Sequence, residues 1–503
     1  MRVWVPLLSI MLTLGAALGA WPTLEQVFEP FHEAFPSGGD RLAAKKAAFD
    51  AAVARQGVAA LPRAMRGCEG ALAEIDDLIR KDAEAYEKSG LAYYGWRAAY
   101  TKDFEKRHGR PPSEWNVPPA INDDFIRKED AFKKSLSFKR RERSFHAWVE
   151  VRAVELLLAA DDAARTKAVG AFASGLKEKR AEQRLRCAAV LGALVDPQAA
   201  AALEKAFSAE RDGTVAAALL DARCRAGPGD ALPLLRDALS HAAWQVRAAA
   251  AAALKARPSR EAVDLLVARL PAETGRLLDD IGDALRALTG QQIGGDAAGW
   301  KGYWEGAREG WTPPPSPPKT DPEEERLRPP AVHSDGAASF LSIPTRSEAV
   351  ILCLDGSVEN IWEALRLAAE AFVQALPDRA SLNIVLYGQR PLLFRKKMAV
   401  GVRGTAVEWL AKWKPEPGAD PCGALEAALD LAGGGRADTI YFLTIAPATH
   451  GLITDTSHIG QEIVALNRTA GVRVHAIGVS EGRDAYWLQE IARQFGGTYS
   501  SPR

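Results

Sequence analysis

Beyond its first 18 residues the sequence lacks any long apolar run, so no later segment offers the ~20 apolar residues that a membrane-spanning helix requires. It also lacks net charge. Its 64 Lys plus Arg balance 64 Asp plus Glu, which removes any global pull toward nucleic acid or an anionic membrane. Cysteine is scarce. Cys68, Cys187, Cys224, Cys353 and Cys422 are odd in number, widely spaced and free of any CxxC pair, which excludes a small-domain disulfide framework. Buried thiols are the simplest reading of their apolar surroundings. The eight histidines are scattered and none falls in an HExxH pattern. His458 lies one helical turn from Glu462, which is weak ground for a metal. The Gly-x-Ser-x-Gly elbow, the Walker loop and Gly-x-Gly-x-x-Gly are all absent. Gly433-Gly434-Gly435 precedes a strand rather than following one, so it reads as a turn. With no nucleophile–base–orienter set, the expectation is a non-enzyme with no bound cofactor. An enzyme site assembled between domains is the alternative.

The chain has 503 residues, enough for two to four domains. Met1 and Arg2 precede an apolar run over residues 3–18, and Ala16, Ala17, Gly19 and Ala20 supply small residues at its end. This reads as a secretory signal peptide over residues 1–20. No cysteine follows the run, which argues against a lipoprotein. The expected product is secreted or periplasmic, with no integral membrane segment after cleavage.

Residues 21–144 read as a helical hairpin. Leu72, Ile75, Ile79, Tyr86, Tyr93, Trp96 and Tyr100 recur at steps of three, four or seven, giving one apolar seam on a charged helix over residues 62–107. Pro111, Pro112, Pro118 and Pro119 end it, and a second helix is expected over residues 123–161. A helix with such a seam must bury it, so the two should pack antiparallel. Lys133, Lys134, Lys139, Arg140, Arg141 and Arg143 are interleaved with Phe132, Phe138 and Phe145. A solvated helix face with its apolar stripe turned inward explains this better than a nucleic-acid patch, and no nucleic-acid partner is expected.

Residues 145–311 repeat. Segments starting at Leu185, Val215, Val246 and Leu277 echo one another at intervals of 30, 31 and 31 residues, each followed by a Pro or Gly break and a second apolar helix. A fixed period of paired helices is the signature of an α-solenoid, because one pair cannot hide its own apolar face. The Val246-Arg247 start and the helix over residues 261–270 resemble HEAT repeats of a short, alanine-rich bacterial kind. Trp300 and Trp304, one turn apart, fit a closing cap and are expected in its core.

Residues 312–339 form a Pro-rich linker with no capacity for a core, the firmest boundary in the sequence. Over residues 340–503 short apolar strands alternate with amphipathic helices, the pattern of a doubly wound parallel sheet. The expected fold is therefore an all-α N-terminal region, hairpin plus solenoid, and a C-terminal doubly wound α/β domain. Val350-Ile-Leu-Cys-Leu-Asp-Gly-Ser357 resembles the first strand and metal loop of a von Willebrand factor type A domain. The segments 418–429, 440–446 and 491–499 resemble its second loop and helix, its fourth strand and third loop, and its close. Residues 340–344 resemble the lead-in strand.

In that family the first loop reads Asp-x-Ser-x-Ser, and here it reads Asp355-Gly356-Ser357-Val358-Glu359. By the resemblance Ala419 stands at the threonine of the second loop and Ile445 at the aspartate of the third, so two of five expected contributors to a magnesium site are absent. Asp355, Ser357, Glu359 and Asp420 are the remaining candidates for a degenerate metal site. The alternative role for Asp355 or Ser357 is to cap the next helix, with Glu359 in its first turn. Cys353 and Cys422 would flank the site, with two free thiols the favoured reading and a bridge the alternative. The function expected is protein binding or scaffolding outside the cytoplasm, through the solenoid and the type A-like domain. A magnesium-dependent adhesion module for an acidic ligand is the rival.

Overall fold

The computed structural model describes residues 41–113, 116–227, 230–313, 338–445, 447–451, 453–479 and 485–502. Residues 1–20, read from the sequence as a signal peptide, and nearly all of the Pro-rich segment lie outside them. The chain divides into two compact units that meet between Glu178 and Lys179.

The first unit is helical. Helices α1 (Arg41–Gln56), α2 (Leu61–His108), α3 (Pro119–Ala159) and α4 (Asp162–Gly175) compose it. Pro62 sits in the first turn of α2, where its missing N–H costs nothing, and Gly109 closes the helix at φ 66°. The seam read from the sequence is the contact with α3: Tyr93 stacks on Phe125 at 4.7 Å and Tyr86 on Phe132 at 5.6 Å, in antiparallel register. Phe132, Phe138 and Phe145 are buried. Lys139 pairs with Asp76 at 3.0 Å and Lys133 with Glu129 at 2.6 Å, so the basic run is a paired helix face. A fully buried ion pair joins α1 to α3, Lys45 Nζ to Glu142 at 2.6 Å. Helix α3 runs unbroken through residue 145, and α4 packs within this unit rather than opening the repeats.

The second unit begins with paired helices. α5 (Ala181–Gly192), α7 (Gly213–Ala226), α9 (Trp244–Lys255) and α11 (Arg276–Thr289) stack in succession, starting 32, 31 and 32 residues apart. Between and after them lie α6 (Pro197–Ala209), α8 (Leu232–Ala238), α10 (Arg260–Arg269) and α12 (Ala297–Ala307). This region is solenoid-like. Asp196, Asp212, Ser259 and Asp296 cap four of these helices through side-chain oxygens. Two equivalent ion pairs, Arg184–Glu210 at 2.7 Å and Arg247–Glu273 at 2.8 Å, repeat along the stack. Close packing shows at Gly192, where an added Cβ would lie 2.7 Å from the Cβ of Ala222. Trp300 and Trp304 are buried as expected, their indole N–H groups donating to the Gly294 carbonyl at 2.8 Å and to Asp264 at 2.7 Å.

Strands β1 (Ala338–Phe340) and β2 (Ile343–Thr345) form an antiparallel hairpin. The sequence reading had one lead-in strand here. Leu341 and Ser342, both at positive φ, instead turn the chain back within two residues. The main sheet contains β3 (Ala349–Asp355), β4 (Ser381–Tyr387), β5 (Pro391–Leu393), β6 (Ala399–Val400), β7 (Thr439–Thr444), β8 (Arg473–Gly478) and β9 (Tyr499–Ser500). Its order is β5-β4-β3-β7-β8-β9. Five strands are parallel, while β5 and β6 both pair antiparallel with β4.

Helices α13 (Glu359–Ala375) and α14 (Arg403–Leu410) cover one face, packing on Val350, Leu352 and Leu354. α15 (Pro421–Ala432), α16 (Thr456–Ala470) and α17 (Ala485–Gln494) cover the other, packing on Ile351 and Cys353. This is the doubly wound α/β architecture expected, with both faces of the central strands buried. The Pro-rich segment marks the change of architecture, yet repeats and sheet fall within one compact unit.

Candidate functional site

Strand β3 is flanked by β4 on one side and β7 on the other, so the chain reverses its winding direction at β3. In such sheets the crevice at the carboxyl ends of the strands is where ligands bind. Asp355 ends β3 at that point and is fully buried. Its Oδ1 accepts the Ser357 N–H at 3.0 Å and its Oδ2 accepts the Ile445 N–H at 2.8 Å. One carboxylate thus ties the loop after β3 to the loop after β7.

Gly356 donates its N–H to the Tyr387 carbonyl at 2.8 Å and accepts from the Trp413 indole at 3.2 Å. A Cβ at position 356 would collide with that indole, so the close approach requires glycine. Ser357 is buried, and its Oγ has no hydrogen-bond partner. Neither Asp355 nor Ser357 caps α13. Val358 holds the N-cap position without a side-chain bond, because Asp355 is already committed to the two loops. Glu359 does occupy the first turn, exposed to solvent.

The second loop is built from Ala419 and Asp420. Ala419 is buried, donates its N–H to Thr449 Oγ1 at 3.0 Å, and accepts from the N–H groups of Thr449 and His450 at 3.0 and 2.9 Å. Asp420 caps α15 by accepting the Gly423 N–H at 2.9 Å. Burial pushes its carboxyl up to about 6, with the Gly423 N–H pulling the other way. Tyr387, in β4, donates its hydroxyl to the Leu443 carbonyl at 2.8 Å, and burial raises it well above the ordinary phenol range.

The structure therefore brings Asp355, Ser357 and Asp420 to one end of the sheet, with Glu359 at the rim. Sequence reading missed Thr449, Trp413 and Tyr387. Their roles depend on backbone contacts across loops, which leave no local sequence signal. Cys353 and Cys422 are both buried and neither forms a disulfide, and burial raises the thiol of Cys353. Glu462 is buried in α16, while the His458 side chain lies outside the described residues.

Residues 348–501 match the family model of the von Willebrand factor type A domain. The match spans the main sheet and its helices, and it assigns the C-terminal region to a class of protein-interaction and adhesion modules. No curated protein matches the chain. The loops bearing Asp355, Ala419 and Ile445 meet at the carboxyl end of this sheet, Asp355 bonding the Ile445 N–H and Ala419 bonding Thr449. Among the described residues, no helix is long and apolar enough to cross a membrane.

The state of Asp420 gives a direct test of how its carboxylate is used. Its folded pKa is raised, so its stabilising contribution is full below the unfolded value near 3.8 and is lost as pH climbs through about 6. Asp420→Asn keeps a capping oxygen while removing the buried charge. It should stabilise the protein by about 1–2 kcal/mol at pH 7.5 and by nearly nothing at pH 4. Thermal melts at the two pH values check this. Destabilisation at both would mean that the ionised carboxylate is needed.

Proposed function

We propose that this chain is a non-enzymatic binding or scaffolding protein that acts outside the cytoplasm, combining a HEAT-like solenoid with a type A domain that engages its protein partner without a metal ion. The observation that carries this reading is the state of Asp355, whose two oxygens each accept a backbone N–H. Magnesium demands near-octahedral oxygen coordination. Ala419 offers no side-chain oxygen and Ile445 presents a hydrocarbon, so the residues present do not fit that ion. The extracytoplasmic placement rests on the signal-like segment 1–20, and the non-enzymatic role on the motifs that the sequence lacks. The exposed rim around Glu359 and the stacked helix pairs are the surfaces offered to a partner.

A second reading is a magnesium-dependent adhesion module gripping an acidic ligand at Asp355, Ser357, Glu359 and Asp420. One observation favours it: the buried Ser357 hydroxyl has no hydrogen-bond partner.

Affinity capture from bacterial envelope extracts distinguishes the two. The full chain should retain the same partners in EDTA as in magnesium, and Glu359→Arg should lose them. Capture that disappears in EDTA would favour the magnesium-dependent module.

A further inference from the structure

A buried ionic seam joins the helical repeats to the base of the type A domain. Arg276, the first residue of α11, donates from Nη1 to the Asp438 carbonyl at 2.7 Å, immediately before β7. Its guanidinium lies 4.9 Å from the ring centre of Trp244, the first residue of α9, and pairs with Asp280 at 3.2 Å. Asp280 also pairs with Arg473, the first residue of β8. These three side chains are about one-seventh exposed, at 13–14%. Next to them Asp279 pairs with Arg346 at 3.1 Å, shortly before β3. The Trp244 indole donates to the Gly435 carbonyl at 3.3 Å, and the Ser347 hydroxyl donates to the Asp438 carboxylate. Burial lowers Arg276 from the ordinary guanidinium range and raises Asp279 and Asp438 above the ordinary carboxylate range. Each ion is therefore stable there only because its partners are in place.

All the sheet contacts in this seam fall at or just before the N-terminal ends of β3, β7 and β8. The opposite ends of β3 and β7 lead into Asp355 and Ile445, ~20 Å away for strands of this length.

We infer that the repeats are a resident clamp on the base of the type A domain. The described residues from Lys179 onward form one body that unfolds cooperatively. The clamp holds the central strands by one end and leaves the loop end to a partner. Its assignment does not rest on what the domain binds.

The test uses the full chain with a specific protease site inserted between residues 314 and 330. After cleavage, gel filtration should show the two pieces eluting together. Asp280→Ala strands Arg276 and Arg473 without their shared carboxylate and should weaken the association of the cleaved pieces roughly 100-fold. Arg346→Ala, at the edge of the seam, serves if that variant loses its helical circular dichroism, with an expected weakening of roughly 10-fold. Pieces that separate in the otherwise unaltered chain would overturn the inference. So would pieces whose affinity is unchanged in the folded variants.

Discussion

Glu142→Ala costs the N-terminal helical unit about 3–5 kcal/mol in a urea melt. The Lys45 ammonium bonds both oxygens of Glu142, at 2.8 and 2.6 Å, and both side chains have no solvent exposure. Burial lowers the Lys45 ammonium and raises the Glu142 carboxyl, so each is charged only because the other is present. Removing the carboxylate leaves an ammonium in an apolar layer with the Phe145 ring at 4.8 Å. Replacing both partners, Lys45→Met with Glu142→Leu, should recover about half of that loss: no charge is then stranded, but the buried His146 Nε2 loses its 3.2 Å contact with Glu142. Urea midpoints of the single and double variants decide it. Equal losses in both would show that shape, not charge, matters at this position.

His475 should dominate the acid limb of the second unit. It lies in β8, its ring stacked 4.8 Å from Tyr441, and its Nδ1 accepts the Thr498 N–H at 3.1 Å, which requires the neutral ring. Burial lowers its pKa to about 3, with Arg473 and Arg276 adding to the effect. A depressed folded pKa means that the unfolded chain takes up the proton first. The stability it supports is complete above pH 6.5 and is lost as pH falls toward 3. Between pH 7 and pH 4 the natural chain should lose ~3 kcal/mol that His475→Gln, which retains an acceptor for Thr498, does not lose. Urea midpoints across that range provide the measurement. Parallel curves for the two chains would contradict the assignment.

Periodic features were the legible ones. The seam from Leu72 to Tyr100 and the repeating helix starts are local patterns, and each lies along a packed helix interface. The strand–helix alternation after residue 340 likewise yielded the sheet, because both faces of β3 are apolar. The β1–β2 hairpin was missed because its turn uses Leu341 and Ser342, residues that do not announce positive φ. The clamp was missed because Arg276, Asp280 and Arg473 are charged, and charge in a sequence reads as surface until a partner 193 residues away is known. At the candidate site the structure places Asp355, Ser357 and Asp420 at one end of the sheet. The helix cap read for Asp355 or Ser357 is not made, because the Asp355 carboxylate accepts the Ile445 N–H, which no side-chain pattern reveals.

Isothermal titration of the full chain with magnesium is the direct test of partner binding without a divalent ion at Asp355. No binding heat is expected, either in the natural chain or after Asp355→Ala. A stoichiometric binding isotherm that disappears in the Asp355→Ala chain would instead show a metal-dependent site.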